Sequence, residues 1–310
     1  MASVREKTKV IVICGPTGVG KTAAAIEIAR KFNGEIISAD SMQIYRRMDI
    51  GTAKPTVAER ARVPHHMIDI VDPDEDFSAR RFLQLGREVI AQLDQRDRIA
   101  FVTGGTGLYI KALLHGLFAS APVAPDIRKR LKKQAEQFGG RTLFERLQKC
   151  DSKAASRLHP NDTYRIVRAL ETFEAGGGTI SGHHRRHGFA ENPFETVTFG
   201  LTMKRERLYE RINERVDAMI GAGLLAEVKG LLKMGYGPEL KSMQSIGYRH
   251  MVDFIAGRLP WDESVRTLKR DSRRYAKRQL TWFGADPTII WQDPAQFDEM
   301  AKVVDKFLNS

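Results

Sequence analysis

The stretch Gly15-Pro16-Thr17-Gly18-Val19-Gly20-Lys21-Thr22 organises the reading of this chain. It follows Lys9-Val10-Ile11-Val12-Ile13-Cys14, a short apolar run of the kind buried in a parallel sheet, and it runs into Ala23–Arg30, which has helical character. Strand, glycine-rich loop and helix, in that order, are the context in which G-x-x-x-x-G-K-[ST] cradles phosphate. Glycines let the backbone wrap so that its N–H groups face phosphate oxygens, and the helix N-terminus adds a favourable dipole. In such a loop Lys21 pairs with a terminal phosphate and the Thr22 hydroxyl ligates Mg2+. The loop therefore implies a phosphorylated ligand without saying which.

Working outward, the strand signals predict an α/β fold: a phosphate-loop core around a parallel sheet. Glu35–Ala39 reads as a second strand with Asp40 at its C-terminal end, where ligands of open parallel sheets gather. Asp and Ser also favour turns and caps, so the residues alone leave Asp40 divided between a turn and a site role. Asp49–Pro55 reads as loop, His65–Ile70 as a short strand, and 77–96 as a helix from the spacing of Phe82, Leu85, Val89, Ile90 and Leu93. The pair His65-His66 lacks a third ligand at metal spacing, which favours packing over a metal. Arg98–Thr103 is a buried-type strand. It ends in Thr-Gly-Gly-Thr where a phosphate-loop ATPase carries a carboxylate, which argues against an ATP-hydrolysing motor. The glycines there admit another backbone or a ligand, with the Thr106 hydroxyl directed into the site.

Residues 121–197 break this rhythm with helices at 126–138, 142–150 and 162–175, and a basic loop through His183-His184-Arg185-Arg186-His187. Arginines interleaved with those histidines would repel a metal cation. The boundaries expected are a first core segment at 1–120, a helical insertion at 121–197, and core completion at 198–310. The last segment begins at a returning strand and carries helices at 206–221, 224–234 and 261–283, a last strand near 288–291 and a terminal helix.

The 310 residues carry a net charge of +12. Residues 121–197 hold 14 Lys/Arg against 9 Asp/Glu, and 261–283 hold 7 against 3, so most of the excess sits in two segments. Arg266, Arg270, Arg273 and Lys277 fall along one helical face, where unpaired cations repel and a polyanion would relieve them. Cys14 and Cys150 form no ligand or disulfide pattern, and no apolar run reaches membrane length. The expectation is a cytoplasmic, monomeric protein with no membrane partner.

Taken together, GPTGVGKT at 15–22, SADSMQIY at 38–45, DIGTAKP at 49–55, GGTGLY at 104–109, HPNDTYRIVRALE at 159–171, IGYR at 246–249 and YAKRQLTWF at 275–283 resemble the bacterial tRNA dimethylallyltransferases over nearly the whole chain. The resemblance implies transfer of a dimethylallyl group from its diphosphate to N6 of the adenosine 3′ of the anticodon, with a helical insertion that clasps the anticodon stem-loop. It implies catalytic roles for Asp40 as base, Thr106 in the channel and Arg215 on the diphosphate, with Gly15, Pro16, Thr17, Gly18, Val19, Gly20, Lys21 and Thr22 holding that diphosphate with Mg2+. Contacts to tRNA are implied for Asp40, Ser41, Met42, Gln43, Thr106 and Arg128. They are also implied for Tyr164, Arg165, Ile166, Val167 and Arg168, and for Lys277, Arg278, Gln279, Leu280, Thr281, Trp282 and Phe283. A phosphate-loop kinase of a nucleotide or small metabolite is the rival, and the two basic segments, which a small acceptor does not need, count against it. A non-catalytic RNA-binding protein is opposed by Lys21, Thr22, Asp40 and Thr106 occurring together.

Overall fold

A computed structural model describes residues 7–117, 125–187 and 190–310. Among them the chain forms two compact units, one reaching to Leu114 and resuming at Asn192–Ser310, the other His115–Glu191. The first unit is built on a parallel sheet of β1 (Thr8–Cys14), β2 (Gly34–Ser38), β3 (His65–His66), β4 (Ile99–Gly104), β5 (Phe194–Leu201) and β6 (Ile290–Gln292), in the order β3-β2-β4-β1-β5-β6. Val10–Cys14 are fully buried because β1 has paired neighbours on both sides and apolar layers on both faces. One face packs Ile11, Ile13, Phe101 and Phe199 against α1 (Lys21–Lys31), and the other packs Val10, Val12 and Val102 with Phe82 of α3 (Ala79–Asp94). The short helix α2 (Val57–Arg62) lies between β2 and β3 in the chain.

The chain leaves β1, passes over to β2 and β3, and returns through α3 to place β4 between β2 and β1. The ends of β1, β2 and β4 therefore open on one crevice, the usual ligand position in such sheets. After β4 comes α4 (Gly107–His115). The second unit follows, with α5 (Pro125–Phe138), α6 (Gly140–Cys150), α7 (Ser152–Ala155), α8 (Thr163–Thr172) and α9 (Ile180–His187) around a core of Leu131, Leu143, Leu147, Ile166 and Leu170. The chain then re-enters the first unit through β5, α10 (Arg205–Gly221), α11 (Leu224–Lys233), α12 (Tyr248–Ile255), α13 (Trp261–Phe283), β6 and α14 (Phe297–Leu308). No helix among the described residues is long and apolar enough to cross a membrane.

Three sequence expectations change. Residues 192–197 belong with the first unit, because Phe194 and Val197 point into its sheet layers. The basic segment expected as a loop is helical at Ile180–His187, although residues 188–189 and the side chains of His184, Arg186 and His187 lie outside the described residues, as does 118–124 with Pro122. The strand expected through Ile70 stops at His66. Met67 and Asp69 take positive φ, and Asp69 turns to pair with Lys54 at 2.6 Å and Arg60 at 2.8 Å.

Candidate active site

The ends of β1, β2 and β4, with one face each of α1, α10 and α13, enclose a cavity of about 500 Å³. The phosphate loop supplies Thr17, Gly18, Gly20, Lys21 and Thr22; β2 and its sequel supply Ser38, Asp40 and Gln43. From α10 come Arg211, Glu214, Arg215 and Ala218, whose spacing puts them on one helical face, and from α13 come Tyr275 and Gln279, one turn apart. The loop, Asp40 and Arg215 are thus brought together as the sequence implies, whereas Arg211, Glu214 and Tyr275 were not read as site residues. Helical spacing from Arg215 could have found Arg211, one turn before it. Tyr275 carried no signal beyond its place in a motif.

Electrostatics mark the cavity as an anion site. Burial, reinforced by repulsion from Arg215, pulls the Lys21 ammonium down to about 8, with Asp40 opposing the shift. Burial likewise lowers Arg215, again opposed by Asp40. Lys21 donates to the Pro16 carbonyl at 2.7 Å, and neither cation is in an ion pair among the described residues. Two desolvated cations that lack carboxylate partners are disfavoured until an anion arrives.

Asp40 makes the turn that the residues suggested and also lines the cavity. Its Oδ1 accepts from the Met42 N–H at 2.8 Å and the Gln43 N–H at 3.3 Å, while Oδ2 accepts no hydrogen bond among the described residues. One oxygen shapes the turn, and the other is left unbonded among the described residues on a side chain that lines the cavity. Gln43 is held in place: it accepts from the Ser38 hydroxyl at 2.9 Å and donates to the Ala53 carbonyl at 3.2 Å. The 49–54 turn below it is anchored by Lys54, which donates to the Tyr45 carbonyl and Asp49, and by Glu227, which accepts the N–H groups of Asp49, Ile50 and Gly51.

Thr106 has a structural task that its motif did not reveal. Its hydroxyl accepts from the Ser41 N–H at 3.0 Å and so positions the segment after Asp40. The glycines before it make room for protein. A Cβ on Gly104 would stand 2.1 Å from the Ala39 carbonyl oxygen, and one on Gly105 would stand 2.1 Å from Gln279 Nε2. The strand end that lacks a carboxylate instead offers Thr103, whose buried Oγ1 has no partner and lines the cavity. His65 Nε2 is a second orphaned polar atom on the same wall, its Nδ1 being 2.7 Å from the Val63 carbonyl. Tyr275 meets the Thr106 hydroxyl, and its phenol is pushed up to about 12 by burial and by Asp40, so it is a neutral donor at ordinary pH.

The residues implied to touch RNA divide by exposure. On α13 Lys277, Arg278, Thr281 and Trp282 face solvent, Leu280 is half-buried, and Gln279 and Phe283 are buried. In the second unit Tyr164 and Arg165 are exposed, whereas Ile166 and Val167 are core. Arg128 and Arg168 both donate to the buried Glu171, at 2.9 and 3.0 Å. The side chains of Ile166, Val167 and Phe283 are therefore corrected from contact groups to core, whereas Gln279 is buried yet lines the cavity. The unpaired stripe on α13 is corrected as well. Arg266 pairs with Glu263 at 2.6 Å, Arg270 with Asp271 at 2.9 Å, and Arg273 donates to Asn213 at 2.6 Å. Positive charge free for a partner sits at the Lys277 end.

Comparison with known proteins places the whole chain in one family. Family profiles described as IPP transferase and isopentenyl transferase match residues 43–286 and 8–69. A tRNA dimethylallyltransferase of Desulfosudis oleivorans is 52% identical over 97% of this chain and 96% of its own. The full-length tRNA isopentenylpyrophosphate transferase of Bacillus halodurans is similar in structure, with TM-score 0.72 and 41% identity over 98% of this chain and 96% of that one. A eukaryotic dimethylallyltransferase acting on tRNA is also similar, with TM-score 0.79 and 30% identity over 96% of this chain and 77% of that one.

Proposed function

The chain belongs to the IPP transferase family of tRNA-modifying prenyltransferases, and within it we propose transfer of a dimethylallyl group from dimethylallyl diphosphate to N6 of the adenosine on the 3′ side of the anticodon. The observation that carries this reading is the phosphate-loop cavity itself. It brings the buried cations Lys21 and Arg215 and the Asp40 carboxylate to one cavity, and no acid follows β4.

The chemistry divides among these residues. The N6 lone pair attacks C1 of the allylic group, the C1–O bond breaks, and the diphosphate departs with the bonding electrons. N6 is a weak nucleophile because its lone pair is delocalised, and it becomes neutral only by losing a proton, which Asp40 Oδ2 accepts. Negative charge grows on the leaving diphosphate, and the loop amides with the desolvated Lys21 and Arg215 stabilise it. Tyr275 and Thr106 fix the segment that carries Asp40. The target base must leave its stack to reach such a cavity.

Mg2+ fits the oxygen donors present. Thr22 lines the cavity, and among the described residues its hydroxyl makes no hydrogen bond and no group of three or more His, Cys, Asp or Glu forms a dedicated cage. That composition suits an ion held by one protein oxygen with phosphate and water. Bound there, it would neutralise part of the diphosphate charge.

Two expected outcomes follow from the charges. The diphosphate ester is fully ionised above about pH 7, so its affinity reports Lys21. Binding raises the Lys21 pKa from about 8, so affinity is fully present below that pH and falls about tenfold per unit above it. Titration calorimetry from pH 7 to 9.5 checks this, and a flat profile contradicts it. Binding of tRNA is expected to weaken about a hundredfold between about 50 and 200 mM salt, since phosphate contacts release counterions; filter binding at several salt concentrations measures the slope. The function itself is tested by nucleoside mass analysis of tRNA from cells with and without this gene. The dimethylallyl mass on adenosine should vanish with the gene, and its persistence would remove the assignment.

A further inference from the structure

Gln279 is buried at 6% exposure on α13, and both ends of its side-chain amide are engaged. Its Oε1 accepts the Thr17 N–H at 2.9 Å, and its Nε2 donates to the Gly105 carbonyl at 2.9 Å. The side chain thus spans from the phosphate loop to the end of β4, the strand paired directly with β1 through Cys14 and Gly104. Both anchors are rigid. Ala276 and Phe283, on either side of Gln279 along α13, are in the core, and the absence of a side chain at Gly105 is what lets Nε2 approach.

The place this bridge crosses is informative. Loops of this class wrap two phosphates with the amides that lead into the helix. A third phosphate and its metal lie between the outer part of the loop and the neighbouring strand end, where a carboxylate usually stands. Here α1 begins at Lys21, so the amides nearest the helix remain available to phosphate, whereas Thr17, farther out, already gives its N–H to Gln279. The strand end that would hold the metal of a triphosphate is joined to the same side chain.

We propose that Gln279 is a specificity-determining residue that closes the phosphate loop beyond the second phosphate, so that the site accepts a diphosphate and rejects a triphosphate. This rests on the diphosphate reading of the loop. The amide that a third phosphate needs, the Thr17 N–H, is already taken by the protein.

The test measures binding of inorganic pyrophosphate and inorganic tripolyphosphate by calorimetry, with the intact chain and with Gln279→Ala. Charge alone favours tripolyphosphate in a cationic site, so a preference for pyrophosphate of about tenfold or more in the unaltered protein reports steric closure. The variant is expected to bring the ratio to near one by tightening tripolyphosphate binding while pyrophosphate changes by less than about threefold. A ratio unchanged in a variant that melts cooperatively would overturn the proposal. Should Gln279→Ala fail to fold, Gln279→Asn, too short to reach both anchors, takes its place. Equal affinity of the unaltered protein for the two anions overturns the proposal without any variant. Failure of pyrophosphate to bind at all would instead remove the diphosphate reading beneath it.

Discussion

Replacing Asp40 with alanine is expected to lower turnover about a hundredfold or more, while tRNA affinity changes little. A hundredfold is close to 3 kcal/mol of transition-state stabilisation, a typical contribution for a positioned base. The geometry says how the loss divides. Oδ1 holds the turn through the Met42 and Gln43 N–H groups, and Oδ2 is the oxygen free to take a proton. Asp40→Asn keeps an acceptor for the turn but removes the base, so it separates shape from chemistry. If asparagine is as slow as alanine and both bind tRNA normally, proton transfer is the missing function. Near-normal turnover of the asparagine variant would remove Asp40 as the base and leave it a turn residue.

The second large effect concerns Lys21. Lys21→Met should cost about a hundredfold to a thousandfold in turnover, the usual consequence of deleting one preorganised donor to a developing anion. Its effect on stability should have the opposite sign. The lysine is held near 8 in the folded chain against 10.5 ordinarily, so the folded state binds this proton less tightly than the unfolded one. Stability of the ligand-free protein therefore rises as pH goes from about 8 to about 10.5, and at neutral pH the buried charge costs on the order of 3 kcal/mol. Methionine removes that cost together with the bond to Pro16. Thermal unfolding of the ligand-free variant at pH 7 is expected at the same temperature as the parent or above it; a clear drop would mean that Lys21 supports the fold and is not held ready for a ligand.

The sheet and the phosphate loop were legible in the sequence because their signals are local. An apolar run, a glycine pattern and a helix with a basic last turn lie within 25 residues, and no distant contact is needed to interpret them. Asp40 was legible as a position at a strand end, and the structure added that its two oxygens do different things. What could not be read was any property set by a partner far along the chain. Gln279 sits in a motif that suggested RNA, but its neighbours are Thr17 and Gly105, 262 and 174 residues away. Thr106 was read as a channel residue, and its hold on Ser41, 65 residues away, was not legible. The arginines of α13 looked like a free stripe because helical spacing shows which residues share a face, not whether Glu263, Asp271 or Asn213 already meets them. The same limit applies to 164–168: exposure of Tyr164 and Arg165, and burial of Ile166 and Val167, follow from how α8 packs on α5 and α6.

A phosphate loop ordinarily suggests phosphoryl transfer, whereas here it is assigned to a leaving group. The most direct test is a single-turnover reaction with unmodified tRNA and dimethylallyl diphosphate carrying 14C in the allylic chain and 32P in its phosphates. The expected result is one 14C per tRNA, on adenosine, with all 32P released as pyrophosphate. Appearance of 32P on the RNA, or 14C staying off the RNA while a phosphate moves to any acceptor, would contradict it.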